Sequence, residues 1–549
     1  MEWDDVIYIS LLGFSIFFGR VFSQLPCGSY RRWVGTCVGL AMVVTVSGYH
    51  SLHPLFSTAA NLLIIKYADK AWCHIYSLVF CFGYLFLFRL GSYFGLPSPP
   101  GHTNAIQMMI TLKLVGVCFE VHDSWQLDRD LKISEENLKA TEADKTKTIS
   151  GNNEDLPAKE SDSGESTVRR RVTEAEEVPG KPCKSASEEH EELLLRKKYE
   201  AISPSVLDVF HYSFFYCGIL TGPYYKYSVY RDLMEGRSGG PHLQPLWWCL
   251  QRLQPLPLYA ALFFIVGHFF PLKFAEGPEI FSEYSLGYRV LYMTPVFFVF
   301  RMRLYAGFVL SECVCITAGL GAYPQRGLPR PGKGPTDLKA LDSNSKEECT
   351  NEMYSYETVH NIDEYGSDFS PTVRAGMRCW NMTVQWWLAT NVYRRMKAPK
   401  PVKEAVTMLT SAFWHGMHSG YYLSMLTVPF ILMVEDYYAR VVRRRLGQTG
   451  AAVYDWFTWF LKMQWFAYMG MAFLLLRVEP TLQYWSSIGY LGHGLILVLH
   501  AFAQFINLVL GKAQDKLKKA RKTAYGSETR LSVKRVNEPQ PQEDLKKIL

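Results

Sequence analysis

Charge is bunched along this chain of 549 residues, and the gaps between the bunches are long and apolar. Five charge-poor windows stand out: Trp33 to Ile65, Ala71 to Phe88, Leu304 to Tyr323, Ala405 to Val434 and Thr481 to Gly511. Other apolar windows are interrupted by isolated charges, such as Lys113 in Thr103 to Val121 and Lys462 in Val453 to Leu476. A stretch of about 18 such residues suffices for a helix to cross a bilayer. Only helices and closed barrels satisfy their own backbone in lipid, so the pattern predicts an all-α, polytopic helical membrane protein. The first, third and last of the five windows fit either long tilted helices or pairs, and the count comes to about 11 transmembrane helices.

The N-terminal apolar segment opens with Glu2, Asp4 and Asp5 where a signal peptide would carry basic residues. Its basic flank is Arg20, Arg31 and Arg32, so the positive-inside rule puts the N-terminus in the lumen and that loop in the cytosol. An odd number of spans then leaves the C-terminus cytosolic. The basic tail after Gly511 is expected to meet anionic lipid there. Lys546 and Lys547, fourth and third from the end, form a dilysine pattern of the kind read by COPI-type retrieval coats. An endoplasmic reticulum membrane protein is the expectation, although a lysine pair in a basic tail carries the same letters.

Polar stretches divide the chain. Residues 1–122 and 199–324 read as N-terminal and central membrane helices. Between them, residues 123–198 are charged and nearly free of aromatics, with too little apolar surface to offset chain entropy. That insert is expected to be disordered and off the site. Residues 325–372 form a polar loop and lead-in, 373–434 a further helical region, 435–511 the last membrane helices, and 512–549 the basic tail. Most of the twelve cysteines lie in or beside apolar windows as small hydrophobes, and Cys313 and Cys315 lack companions for a metal site.

Titratable and amide side chains at membrane depth mark function by default. His415 follows Trp414 in "TSAFWHGMHSGYY". On a continuous helix, His415, His418 and Tyr422 would share a face, and Gly416 and Gly420 would let a neighbouring helix approach. A histidine bonded across a helix interface is the plain alternative. A metal site has no further ligand nearby, and none is expected. Upstream, Arg378, Asn381 and Gln385 in "VRAGMRCWNMTVQWWLATNVYRR" would share a helical face among interfacial tryptophans. Asn381-Met-Thr383 also reads as a glycosylation sequon, but the transferase could not reach it within an apolar helix. Arg301 and Arg303 either snorkel at a helix end or bind an anion. Glu312 is expected to pair with an arginine such as Arg303.

Taken together, "CWNMTVQWW" and "FWHGMHSGYY" resemble the paired signature of the membrane-bound O-acyltransferases, with Asn381 and His415 in its two places. "TGPYYKY", "FRMRLY", "GLGAYP" and "YETVHNID" are similar to the lysophospholipid branch, and the likeness spans residues 1 to about 122 and 199 to 511. The insert is foreign to that pattern. The resemblance implies helices around a central catalytic chamber. It implies transfer of a polyunsaturated, arachidonoyl-type chain from acyl-CoA to the sn-2 hydroxyl of a lysophospholipid, with lysophosphatidylinositol as acceptor. His415 would be the general base and Asn381 an oxyanion or acceptor-oxygen ligand. Trp414, Tyr422, Gln385, Arg378, Arg301, Arg303 and Lys226 are candidates for substrate binding. Acyl-CoA is the co-substrate, no other cofactor is expected, and the partners are lipid rather than nucleic acid. Another acceptor (a different lysophospholipid, a sterol or a peptide) and a transporter that uses the same buried polar groups are the rivals.

Overall fold

The computed structural model describes residues 3–95, 97, 99–150, 185–237, 244–342 and 352–509. Most of them are helical; the strands Tyr323–Pro324 and Tyr354–Ser355 form one short antiparallel pair. Seven helical stretches are long and apolar enough to cross a membrane: Asp5–Ser23, Ser29–Tyr67, Cys73–Leu90, Gly101–Ala140, Pro245–Glu276, Leu286–Ala318 and Leu491–Val509. Ser29–Tyr67 is a pair, Ser29–Ser47 and Leu52–Tyr67, hinged by a 3₁₀ turn at Gly48–Ser51. Counting both, and adding Lys400–His415, Ser419–Val441 and Gln448–Leu475, gives eleven long helical segments among the described residues. The Leu304–Tyr323 window lies, up to Ala318, in a single 33-residue helix, Leu286–Ala318.

The spine of the N-terminal half is Gly101–Ser150, a 50-residue helix. Its first part is buried on all sides, with Ile106, Ile110, Leu114 and Val117 fully inside. Lys113, also fully buried, is satisfied by the Tyr212 and Cys217 carbonyls at 3.3 and 3.4 Å and the Tyr225 hydroxyl at 3.0 Å. A buried cation surrounded by oxygens holds the 212–225 loop against the spine.

The spine corrects the expectation for residues 123–198. It runs unbroken to Ser150, because Leu, Lys, Glu and Ala are strong helix formers and no Gly or Pro interrupts them. On the far side of the insert, Ala186–Tyr199 is a second helix, opened by a capping box between Ser185 and Glu188. It packs on the spine through Lys197–Asp128 (3.0 Å) and His190 Nδ1–Ser134 Oγ (3.1 Å). Low hydrophobicity concealed helices held largely by propensity, caps and ion pairs. Residues 151–184, residues 343–351 of the polar loop and the tail with Lys546 and Lys547 lie outside the described residues.

Two further expectations fail where a helix breaks. Val373–Arg378 ends before Asn381, which opens the next helix, Met382–Leu388, from a left-handed conformation (φ 46°, ψ 51°) that Asn tolerates better than most residues. Arg378, Asn381 and Gln385 therefore share no helical face. Likewise Lys400–His415 stops at His415, and Ser419–Val441 starts after His418, so His415, His418 and Tyr422 lie on two helices. Glycine allows both close approaches at this break. A Cβ on Gly416 would sit 2.6 Å from the Tyr421 ring, and one on Gly420 would sit 2.0 Å from the Ala472 carbonyl oxygen.

Candidate active site

The helix that delivers His415 is amphipathic. Glu404, Thr407, Ser411 and Trp414 are buried at steps of three and four. Arg374 ties its first turns to the neighbouring helices, reaching Glu404 at 3.1 Å and Asp436 at 2.9 Å. At the other end, the Trp414 indole donates to the Met108 carbonyl at 3.1 Å. His415, the last helical residue, projects among Trp414, Tyr421 and Phe473, with ring centroids 4.9, 5.8 and 5.1 Å away.

His415 and Asn381 line one chamber of about 390 Å³. Most of its wall is apolar and soft: Met108, Met109, Phe297, Phe300, Met425 and Phe473 among others. Gln385, Trp414 and Arg301 line it too. The Gln385 amide donates to the Met377 and Trp380 carbonyls and thereby bridges the break before Asn381. Asn361 secures the same break from below: its carbonyl accepts Met382 N at 2.7 Å, and its Oδ1 accepts the Thr383 hydroxyl at 2.6 Å.

Arg301 is buried, and its guanidinium pairs with Asp368, whose carboxylate also accepts the Tyr305 hydroxyl at 2.8 Å. Its Nε is buried without a hydrogen-bond partner in the structure. Lys462 and Trp459 hold the Asp368 backbone in place, through bonds of 2.9 and 2.7 Å to its carbonyl. Arg301 is thus a fixed, carboxylate-paired cation in the wall of an apolar cavity.

The other candidates fall elsewhere. Arg303 is exposed and pairs with Asp5 at 2.9 Å, outside the chamber. Glu312 does pair with an arginine, but the partner is Arg252 rather than Arg303. It takes Arg252 at 2.6 Å and accepts the Asn361 and Ile362 amides at 2.8 and 3.1 Å. Arg303 and Glu312 lie on one helix, Leu286–Ala318, but about half a turn round and ~13.5 Å along it from each other, so they meet different neighbours. Arg378 is exposed and does not line the chamber, and Tyr422 faces an apolar groove with Leu426 and Leu497 on the far side of its helix.

Lys226 belongs to a second, larger cavity of about 730 Å³. Charges of both signs line this cleft: Arg196, Lys333, Lys339 and Arg394 with Lys226, and Glu120, Asp123, Glu192, Glu200 and Asp337. Glu120, deeply buried, accepts the Tyr227 and Ser228 amides at 2.7 and 3.1 Å and so anchors the segment that carries Lys226. Burial, together with Lys226, Arg196 and Arg394, holds the Lys333 amine below the ordinary lysine range, with Glu200 working against them. Glu192, Leu195 and Arg196 come from the insert helix Ala186–Tyr199, so that part of the insert is at a cavity wall rather than remote. Charge density in "EELLLRKKYE" looked like a solvated run, and only the fold reveals the cavity beside it. The described residues contain no group of three or more His, Cys, Asp or Glu that could hold a metal.

A helical membrane body with a histidine and an amide in an apolar chamber defines an acyltransferase working inside the bilayer. The chain belongs to the membrane-bound O-acyltransferase family, whose signature matches residues 100–476. It is 37% identical over 532 residues to the membrane-bound acylglycerophosphatidylinositol O-acyltransferase of Mus musculus, covering 96% of this chain and 98% of that one. The bovine protein of the same description is 38% identical over 500 residues, covering 90% of this chain and 93% of its own. The Drosophila melanogaster one is 33% identical over 496 residues, covering 90% of each.

Proposed function

We propose that the protein transfers an acyl chain from acyl-CoA to the free sn-2 hydroxyl of lysophosphatidylinositol. The observation that carries this reading is the meeting of His415, Asn381 and the buried Arg301 in one apolar chamber, apart from a charged cleft. Relatives named for acylglycerophosphatidylinositol O-acylation match over nearly their whole length. A lipid hydroxyl is a weak nucleophile. Neutral His415 takes its proton as the oxygen attacks the thioester carbonyl carbon. The Asn381 amide stabilises the oxyanion that forms. Collapse breaks the carbon–sulfur bond, and the proton on His415 passes to the departing CoA thiolate. The thioester provides the driving force, so the reaction calls for no metal or further cofactor.

Arg301 receives the acceptor phosphate, whose burial requires a cation or several donors. Trp414 and Gln385 shape the chamber around the acyl chain. Its methionine and phenylalanine lining adapts to a bent, polyunsaturated chain of the arachidonoyl type. The cleft takes the anionic head of CoA between Lys226, Lys333, Arg394 and Arg196, at the end of the bundle that the charge rule makes cytosolic. An endoplasmic reticulum location, a cytosolic C-terminus and retrieval by a COPI-type coat through Lys546 and Lys547 complete the proposal.

The test is thiol release by the purified protein from a panel of acyl-CoAs and acceptors. Lysophosphatidylinositol with arachidonoyl-CoA should react fastest. Faster reaction with lysophosphatidylcholine, a sterol or a peptide would replace the acceptor, and no thiol release with any acceptor would favour the transporter reading.

A further inference from the structure

The last carbonyls of an α-helix have no intrahelical donor, and something else must satisfy them. In Lys400–His415 the Ala412 carbonyl accepts Gly416 N at 3.0 Å, which leaves Phe413, Trp414 and His415. A single side chain from another helix reaches all three. Arg89 Nη1 donates to the Phe413 carbonyl at 2.7 Å, and Nη2 donates to those of Trp414 and His415 at 2.6 and 3.2 Å. Its Nε donates to Asn104 Oδ1 at 2.9 Å, which fixes the plane of the fork. The same surface of the Cys73–Leu90 helix packs the turn from the side, with Phe82 and Phe86 stacked on Phe413 at 6.1 and 5.9 Å. A cation also complements the partial negative charge at a helix C-terminus.

We propose that Arg89 is a positioning residue for acyl transfer, its guanidinium clamping the terminal turn so that the His415 imidazole stays in register with the reacting hydroxyl. The proposal rests on His415 being the base. No helical residue follows His415, so the turn beyond Trp414 has no intrahelical restraint from its C-terminal side. The rest of the helix keeps its own anchors, Arg374 on Glu404 and the Trp414 indole on Met108. Loss of Arg89 therefore loosens the base without removing the helix. Lysine brings the charge but not the planar fork that spans three carbonyls and an amide.

The experiment compares Arg89→Gln, Arg89→Lys, His415→Ala and the His415→Ala/Arg89→Gln double variant in purified full-length protein, varying each substrate in turn. Misplacing a catalytic group by about 1 Å costs on the order of a hundredfold. Arg89→Gln should lower kcat by about that factor while both KM values stay within about twofold. On the His415→Ala background the same change should cost nothing further, because Arg89 acts only through the histidine. A folded Arg89→Gln protein with wild-type kcat, or an additional loss in the double variant equal to that in the single, overturns the proposal. If Arg89→Gln does not fold, Arg89→Lys decides: reduced kcat with unchanged KM values supports positioning, and wild-type kcat refutes it. Near-normal turnover of His415→Ala would instead sink the base assignment itself, whatever Arg89 does.

Discussion

The chamber and the cleft share two chain segments in their walls and differ in chemistry. Leu220 and Thr221 face the chamber, while Tyr224 and Lys226 face the cleft. Asn381 and Gln385 face the chamber, while Trp386, Asn391 and Arg394 face the cleft. One cavity holds a single buried, carboxylate-paired guanidinium among methionines and aromatics; the other gathers five cations and five carboxylates, with the Lys333 amine held low chiefly by burial. The partition separates a mostly apolar cavity from one lined with charges of both signs. The short helix Met382–Leu388 contributes to both walls, Gln385 to the chamber and Trp386 to the cleft.

The partition should divide the kinetic effects of mutation, and four measurements bear on it. The largest effect is expected at the base: His415→Ala should cut turnover by roughly 10²–10⁴, as for a lost general base. Survival of the rate in the folded variant would remove chemistry from the chamber. Asn381→Ala should follow at about 10²–10³, the cost of a lost oxyanion donor, and should act on kcat. A change confined to KM would make Asn381 a binding group instead. Arg301→Gln should raise the lysolipid KM about tenfold or more, given the roughly 1.5–3 kcal/mol of a hydrogen bond to a charged group. The acyl-CoA KM should scarcely move, and an equal rise in both would mean that the two cavities do not sort the ligands.

On the cleft side the effects should be smaller and electrostatic. Lys333→Gln should raise the acyl-CoA KM a few-fold, with the effect shrinking as salt screens it. Because Lys333 is held below the ordinary lysine range, it loses its proton earlier as pH climbs, and acyl-CoA affinity should fall on the alkaline side. Lys333→Arg should flatten that dependence. A pH profile identical in wild type and Lys333→Arg would show that Lys333 does not contact the donor.

The chamber was more legible in the sequence than the cleft was. His415, Asn381, Gln385 and Arg301 are polar groups in apolar company, and that contrast is visible without coordinates. The helix breaks beside Asn381 and His415 were not, because both stretches keep a composition compatible with continuous helix. Arg89 looked like any arginine closing an apolar segment, and nothing local marks a guanidinium aimed at carbonyls of a remote helix. The cleft is assembled from residues of the spine, the insert and two loops, each of which reads as ordinary solvated charge. Composition also hid the insert helices, since their hold on the fold comes from caps and ion pairs.

The bond between Arg89 and Phe413 spans 324 residues of sequence, and that distance has a meaning in time. At the roughly 5–20 residues per second of protein synthesis, the helix that bears His415 follows its clamp by about 16–65 s. Throughout that interval Arg89 is made and inserted near the end of a membrane helix before its carbonyl partners exist. The nascent chain must hold a guanidinium at the membrane boundary until the later helix arrives. Assembly of the His415 turn is thus a late event in biogenesis, and an unfinished chain carries the Arg89 guanidinium without the carbonyls it binds.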